Sequence, residues 1–265
     1  MQEHGLITHE SSIYYRLVGE GEPVILLHGF GEDGSIWDAL SEQLKNKYRL
    51  IIPDLPGSGQ SVSNTDGITM EKMAEKVKEV LDKEGIQQCK MIGHSMGGYI
   101  TLAFAEKYAH YLHSFGLFHS TAYADSEEKK EARKKNIEFI GKHGSAKFLR
   151  QTVPNLFSEE TRSNNPELVE EIINKYSNLS PTSLVNYTAA MMNRPDRVSV
   201  LENFKKPVLF IMGEHDTAVP LEQGLKQCRV PEISYIYICV HSGHMGMLEE
   251  PEFSLKAIQD FLSAK

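Results

Sequence analysis

The sequence predicts an α/β protein: a mostly parallel sheet with helices on both faces, interrupted by one inserted block of helices. Two observations carry this. Short continuous apolar runs alternate with amphipathic helical stretches along most of the chain. Between about Ser120 and Lys206 the alternation stops, and helix-like segments follow one another with prolines between them. A chain of 265 residues can bury one substantial core and carry such an insertion.

Taken in order, "SSIYYRLVGEGEP" alternates as an antiparallel hairpin strand does. "PVILLHG" is apolar throughout and ends in glycine, as expected of a strand covered on both faces. "SIWDALSEQLKN" has Ile36, Leu40 and Leu44 at helical spacing, with Trp37 in the same core. "YRLIIPDLPG" is a second buried strand, stopped by Pro56 and Gly57. "ITMEKMAEKVKEVLDKEG" puts Met70, Met73, Ala74, Val77 and Leu81 on one helical stripe, with Gly85 as C-cap. "CKMIGHS" is a strand, "MGGYITLAFAEKYAH" a helix and "LHSFGLFHS" a strand. After the insertion, "KPVLFIMGEHD" and "ISYIYICVHSGH" are strands flanking the helix "LEQGLKQC". The closing helix "EPEFSLKAIQDFLSA" starts at Pro251 and turns Ala257, Ile258, Phe261 and Leu262 inward.

Within the insertion, "ADSEEKKEARKKNIEFIGKHG", "SAKFLRQTVPNLF", "PELVEEIINKYSN" and "PTSLVNYTAAMMN" are four helix-like segments broken at Pro154, Pro166, Pro181 and Pro195. The mixed charges of "EEKKEARKK" at helical spacing predict a solvated helix face. Residues 120–206 are therefore expected to form a helical cap, on a core made of residues 1–119 and 207–265.

Composition narrows the function. The 28 basic and 36 acidic residues give a net charge of −8, which argues against nucleic-acid binding. Cys89, Cys228 and Cys239 show no metal-ligand spacing, and two of them fall in strand-like runs, so buried reduced thiols are expected. The opening "MQEHGLITHE" has no apolar signal-peptide core, and no apolar run reaches membrane-spanning length. A cytoplasmic protein acting on a small molecule, away from membranes, is the expectation.

The most informative stretch is "MIGHSMGGYI". A lone G-x-S-x-G is a weak signal, but here it sits where a strand meets a helix. A sharp strand-to-helix turn lifts the serine hydroxyl to the C-terminal edge of the sheet. Side chains two residues to either side would collide in that turn, which accounts for Gly93 and Gly97, and Gly98 lets the helix approach the sheet. Ser95 needs a base and a group that orients the base. Sites in open parallel sheets form at the C-terminal ends of strands. Asp216 and His244 stand at two such ends, in the chain order Ser, Asp, His that accompanies this elbow. An oxyanion site needs two backbone N–H groups. Met96 supplies one, and "LLHGFGEDGSIW" supplies the other at Phe30, its backbone freed by Gly29 and Gly31.

Five motifs in order, GHSMGG, "LLHGFGEDGSIW", "DLPGSGQS", "GEHDTAVP" and "SGHMGMLEEPEFS", resemble the α/β-hydrolase family over nearly the whole chain outside the insertion. The resemblance implies an eight-stranded sheet and a helical cap. It assigns Ser95 as nucleophile, His244 as base, Asp216 as acid, and the Phe30 and Met96 N–H groups as oxyanion hole. Serine at position 95 excludes the branches with an aspartate nucleophile. Asp125, after the strand ending near Ser120, is the rival acid, since some relatives carry theirs there.

Other candidates weigh less. His215 and His241 read as loop or strand residues, His28 as shaping the oxyanion loop and His94 as packing behind the elbow. Glu214, His215 and Asp216 are consecutive and cannot easily converge on one metal ion. Met191, Met192 and Tyr123 are weak candidates for lining an apolar substrate pocket. The parts imply a cofactor-free, metal-free serine hydrolase acting on carboxylic esters of small or medium apolar acyl groups. The alternatives are a C–C, enol-lactone or thioester hydrolase with the same triad and, in another class, a small-molecule receptor on the same fold.

Overall fold

The computed structural model describes residues 2–7, 12–61 and 64–264. The parts of the N-terminal readings that fall on Met1 and residues 8–11 lie outside these. The strands are β1 (Gln2–Ile7), β2 (Ser12–Val18), β3 (Glu22–Leu27), β4 (Tyr48–Pro53), β5 (Cys89–His94), β6 (Leu112–Phe118), β7 (Val208–Gly213) and β8 (Ser234–Cys239). They form one eight-stranded sheet in the order β1-β2-β4-β3-β5-β6-β7-β8. The first two pairings, β1 with β2 and β2 with β4, are antiparallel, and every later one is parallel. β1 is a strand that the sequence reading did not assign.

The continuous apolar runs follow from burial on both faces. Ile25 and Leu27 of β3 join one core, with Met73, Val77 and Leu81 of α2 (Met70–Lys83) and Ile100 and Phe104 of α3 (Met96–Tyr108). Their neighbours Val24 and Leu26 join the other, with Leu40 of α1 (Asp38–Leu44) and Ile258 and Phe261 of α11 (Pro251–Ser263). Alternate side chains of a strand point to opposite faces, so a strand sandwiched between helices has no polar side. Trp37 is fully buried in a short 3-10 turn, Gly34–Trp37, ahead of α1. All three cysteines are free and buried.

Between β6 and β7 the chain forms α4 (Glu127–Thr152), α5 (Glu159–Asn164), α6 (Pro166–Tyr176), α7 (Pro181–Asn193) and α8 (Val198–Asn203). Pro166 and Pro181 occupy first-turn positions, where the missing N–H costs nothing. The first two expected helices are limbs of α4 that meet at Gly144, whose φ of 81° breaks the helical path. The short helices α5 and α8 were not expected. The cap is joined to both cores: Phe148 and Ile172 extend one, and Tyr187 and Met191 extend the other. In the charged run of α4, Lys130 pairs with Glu127 at 2.7 Å and Lys134 with Glu131 at 2.5 Å. The run is solvated as expected, with no residue of it buried, and half-buried Lys129 and Arg133 also line a cavity beneath the cap. No helix among the described residues is long and apolar enough to cross a membrane. The two remaining helices of the core, α9 (Leu221–Gln227) and α10 (Gly246–Glu249), flank β8 in sequence.

Candidate active site

Ser95 joins β5 to α3 with φ 50° and ψ −114°, a conformation that L-residues rarely hold. The turn closes because its flanks are glycine: a Cβ on Gly93 would lie 2.2 Å from the carbonyl oxygen of Gly97. A Cβ on Gly98 would lie 2.3 Å from Ser120 Oγ, at the end of β6, so the helix does lie against the sheet. Three hydrogen bonds hold the strained residue. Ser95 N–H donates to Phe118 O at 2.9 Å, and Ser95 O accepts from Gly98 N–H at 2.9 Å and from Ser120 Oγ at 2.7 Å. Such a backbone costs about 1–3 kcal/mol and persists only when its surroundings over-determine it.

Asp216 and His244 follow β7 and β8, and both are buried. His244 Nδ1 stands 2.7 Å from Asp216 Oδ2. Asp216 Oδ1 accepts from the N–H groups of Ala218 and Val219, both at 2.8 Å. Burial works to raise the Asp216 carboxyl, but the neighbouring His244 and the contacts from His119 and His244 outweigh it. The group stays well below the usual carboxylate range. Asp125, the rival acid, is bound elsewhere: it pairs with Arg133, and with Arg194 at 2.8 Å. Ser95 and His244 line one cavity of about 280 Å³ beneath the cap, together with Phe30 and Met191. The N–H groups of Phe30 and Met96 have no protein acceptor among the described residues. Met192 and Tyr123 do not line this cavity. Successive helical residues point about 100° apart, so Met191 faces inward and Met192 turns away. Tyr123 opens instead onto an outer groove beside the cap.

Two further histidines belong to the site: His94, read from the sequence as packing, and His119, which that reading left unassigned. His94 Nδ1 faces Glu32 Oε2 at 3.1 Å, and its Nε2 faces the carbonyl of His244 at 3.0 Å. Both partners only accept, an arrangement that favours the imidazolium form with a proton on each ring nitrogen. Burial opposes that charge, but Glu32 outweighs it and raises the His94 pKa. Glu32, in turn, is held below its ordinary value against burial by His94 and by the Gly29 N–H at 2.8 Å. His119, the residue after β6, has φ 48° and is fully enclosed beside Asp216 and His244. His28 does shape its loop, accepting the Leu55 N–H at Nε2 over 2.9 Å. His215 and His241 are exposed, and His241 pairs with Glu160 at 3.1 Å.

The loop that carries His244 is tied to the cap. His244 N–H donates to Leu156 O at 2.6 Å. Glu249 accepts from Gly243 N–H at 2.8 Å and Met245 N–H at 3.2 Å through one oxygen, and from the cap's Ser158 N–H at 2.8 Å through the other. Ligand atoms of His119, Asp216 and His244 lie within 4.8 Å of one another, the one such group among the described residues. Two of those three residues, His244 and Asp216, are already in contact with each other at 2.7 Å.

A parallel sheet with a serine elbow at one strand end, and a carboxylate–histidine pair at two others, defines a hydrolase of the elbow type. The family model of the α/β hydrolase fold matches residues 22–135. An esterase from Thermogutta terrifontis, solved with malate bound, is 31% identical over 99% of this chain and 98% of its own, with a TM-score of 0.93. The pimeloyl-[acyl-carrier protein] methyl ester esterase of Vibrio vulnificus is 24% identical over 91% of this chain and 94% of its own. The 3-oxoadipate enol-lactonase 1 of Acinetobacter baylyi is 25% identical over 92% and 90%. The chain belongs to the α/β-hydrolase family.

Proposed function

We propose that the protein is a carboxylic-ester hydrolase for small or medium acyl groups, working through Ser95, His244 and Asp216. The observation that carries this reading is the 2.7 Å contact of His244 Nδ1 with Asp216 Oδ2, in a site whose cavity also holds the strained Ser95. His244 takes the Ser95 proton at Nε2 as Oγ attacks the ester carbon. Asp216 holds the proton on Nδ1 and stabilises the imidazolium that forms. The N–H groups of Phe30 and Met96 hold the oxyanion of the tetrahedral intermediate. Its collapse breaks the C–O bond, and His244 protonates the departing alkoxide. A water deprotonated by His244 then attacks the acyl-enzyme, and Ser95 regains its proton as the acid leaves. Residues 120–206 serve as the cap that selects the acyl group, and the apolar wall of Phe148, Leu149 and Ile172 favours a hydrocarbon chain.

The test is hydrolysis of p-nitrophenyl esters from acetate to decanoate by wild type and Ser95→Ala. Ser95-dependent turnover with a fall of at least about 10³-fold in the variant is expected. Undiminished turnover in the variant would remove Ser95 from the mechanism. A second reading, opening of an enol-lactone by the same residues, draws on the lactonase relative. It predicts turnover of a lactone well above that of any open-chain ester.

A further inference from the structure

The cap carries a stripe of polar residues that the hydrolytic mechanism leaves unused. Lys129, Arg133 and Asn136 lie four and three residues apart on α4, hence on one helical face, and all three line the cavity that holds Ser95. The same cavity is lined by apolar Phe148, Leu149 and Ile172. Position 129 is an unfavourable place for a lysine. Ser126 caps α4 by accepting the Lys129 N–H at 3.2 Å, and the first turn of a helix favours carboxylates, as Glu127 and Glu128 illustrate.

The charges there are not cancelled. Among the described residues no carboxylate stands within ion-pair distance of Lys129. Its ammonium donates to Ala218 O at 2.9 Å, which docks it on the loop that follows Asp216 and leaves two of its three protons free. Arg133 spends Nε on Asp125, and neither of its terminal nitrogens has a protein acceptor among the described residues. Asp125 is shared with Arg194, whose guanidinium is also stacked 3.8 Å from the centroid of the Tyr99 ring. Arg133 and Arg194 therefore share one carboxylate and Lys129 pairs with none among the described residues, in a chain whose net charge is −8. Glu32, the one carboxylate that lines the cavity among the described residues, is engaged by His94.

We propose that Lys129 and Arg133 form a carboxylate subsite, so that the substrate is an ester bearing a second carboxylate at the end of a short apolar chain. The free fork of Arg133 and the ammonium of Lys129 match a planar anion, and the apolar wall matches the methylenes between it and the scissile bond. This deepens the reading of the protein as an ester hydrolase and rests on it for the word substrate; the anion site itself can be tested without turnover.

The binding arm uses the full chain carrying Ser95→Ala, titrated calorimetrically with monomethyl adipate and with methyl hexanoate at low ionic strength, so that only one of the two ligands carries a carboxylate. Monomethyl adipate is expected to bind at least about tenfold tighter, with the advantage shrinking in salt. The advantage is expected to vanish in Lys129→Met/Arg133→Gln and to fall at least about threefold in Lys129→Met alone, which leaves the Asp125 pair intact. Equal binding of the two esters, or an advantage that survives both substitutions, overturns the subsite. The turnover arm compares the same two esters in wild type, where a kcat/KM ratio of at least about ten is expected, carried mainly by KM. Tight binding of monomethyl adipate without hydrolysis of either ester would overturn the ester reading and leave the subsite standing. Hydrolysis of both at equal kcat/KM, with equal binding of the two, would do the reverse.

Discussion

Nδ1 of His119 stands 3.3 Å from Asp216 Oδ2, the same oxygen that His244 Nδ1 reaches at 2.7 Å. The backbone N–H of Gly246 donates to His119 Nε2 at 3.2 Å, so Nε2 holds the lone pair and the proton sits on Nδ1. Burial lowers the His119 pKa to about 4, against the opposing pull of Asp216, so the ring is neutral at pH 7. The contact is long and too poorly directed for a full hydrogen bond. It nevertheless places an N–H dipole against the carboxylate that supports the proposed base.

Removing that dipole leaves more negative charge for His244 to feel. His119→Asn keeps a residue that tolerates positive φ but shortens the donor out of reach. The acid limb of the kcat/KM profile is expected to move to higher pH than in wild type. A pH–rate profile on any ester the wild type hydrolyses reads this. An unmoved acid limb would reduce His119 to packing.

The same residue makes stability depend on pH. The folded His119 resists protonation down to about pH 4, whereas the unfolded one protonates below its ordinary value of 6.5. Between these values the unfolded chain binds more protons, so this contribution to stability is present above pH 6.5 and falls as pH drops toward 4. From pH 7 to pH 5 the loss from this group is about 2 kcal/mol. Urea midpoints at the two pH values should show a smaller difference in His119→Asn than in wild type. An identical difference would place the acid sensitivity elsewhere.

Glu249 links the histidine loop to the cap through three backbone N–H groups, at Gly243, Met245 and Ser158. Glu249→Gln keeps the size but turns one acceptor into a donor facing an N–H. Displacement of His244 by a fraction of an ångström is the expected result, and it acts on the chemical step more than on binding. A fall in kcat of roughly ten- to a hundredfold with KM little changed is expected. Equal changes in both constants, or a rise in KM alone, would assign Glu249 to cap closure.

The succession of strands β2 to β8 along the chain, the elbow and the strand-end positions of Asp216 and His244 were legible because each is written locally. Apolar runs give buried strands, and Gly93 and Gly97 mark a turn that admits no side chain between them. His119, Glu32 and Glu249 were not legible, because their partners come from other strand ends and from the cap, and only the assembled sheet brings those together. The charged face of α4 is solvated as expected, but that Lys129 and Arg133 also line a cavity was not legible, for a related reason. Mixed charges at helical spacing look the same whether water or a cavity lies beside them, and docking of the cap decides which. One local sign was available: a lysine in the first turn of a helix opened by Ser126, where carboxylates are favoured. The inward turn of Met191 and the outward turn of Met192 likewise depend on how α7 lies against the core, which spacing within one helix does not fix.

Glu32 and His94 form a buried ion pair behind the elbow, one residue from Ser95 and hydrogen-bonded to the backbone of His244. Each partner keeps the other charged against burial, so removing one strands the other. Glu32→Gln is expected to destabilise the protein by about 3 kcal/mol, and more than the double variant Glu32→Gln/His94→Gln. The pH dependence follows from the two shifts. The contribution of His94, whose folded pKa is raised, is present below 6.5 and lost as pH rises through the folded value. That of Glu32, whose folded pKa is lowered, is present above 4.5 and lost as pH falls through the folded value. The coupling energy from a double-mutant cycle should therefore be larger at pH 6 than in alkali. A coupling that stays constant as pH rises would mean that His94 is neutral throughout, with one ring nitrogen facing an acceptor without a proton to give it.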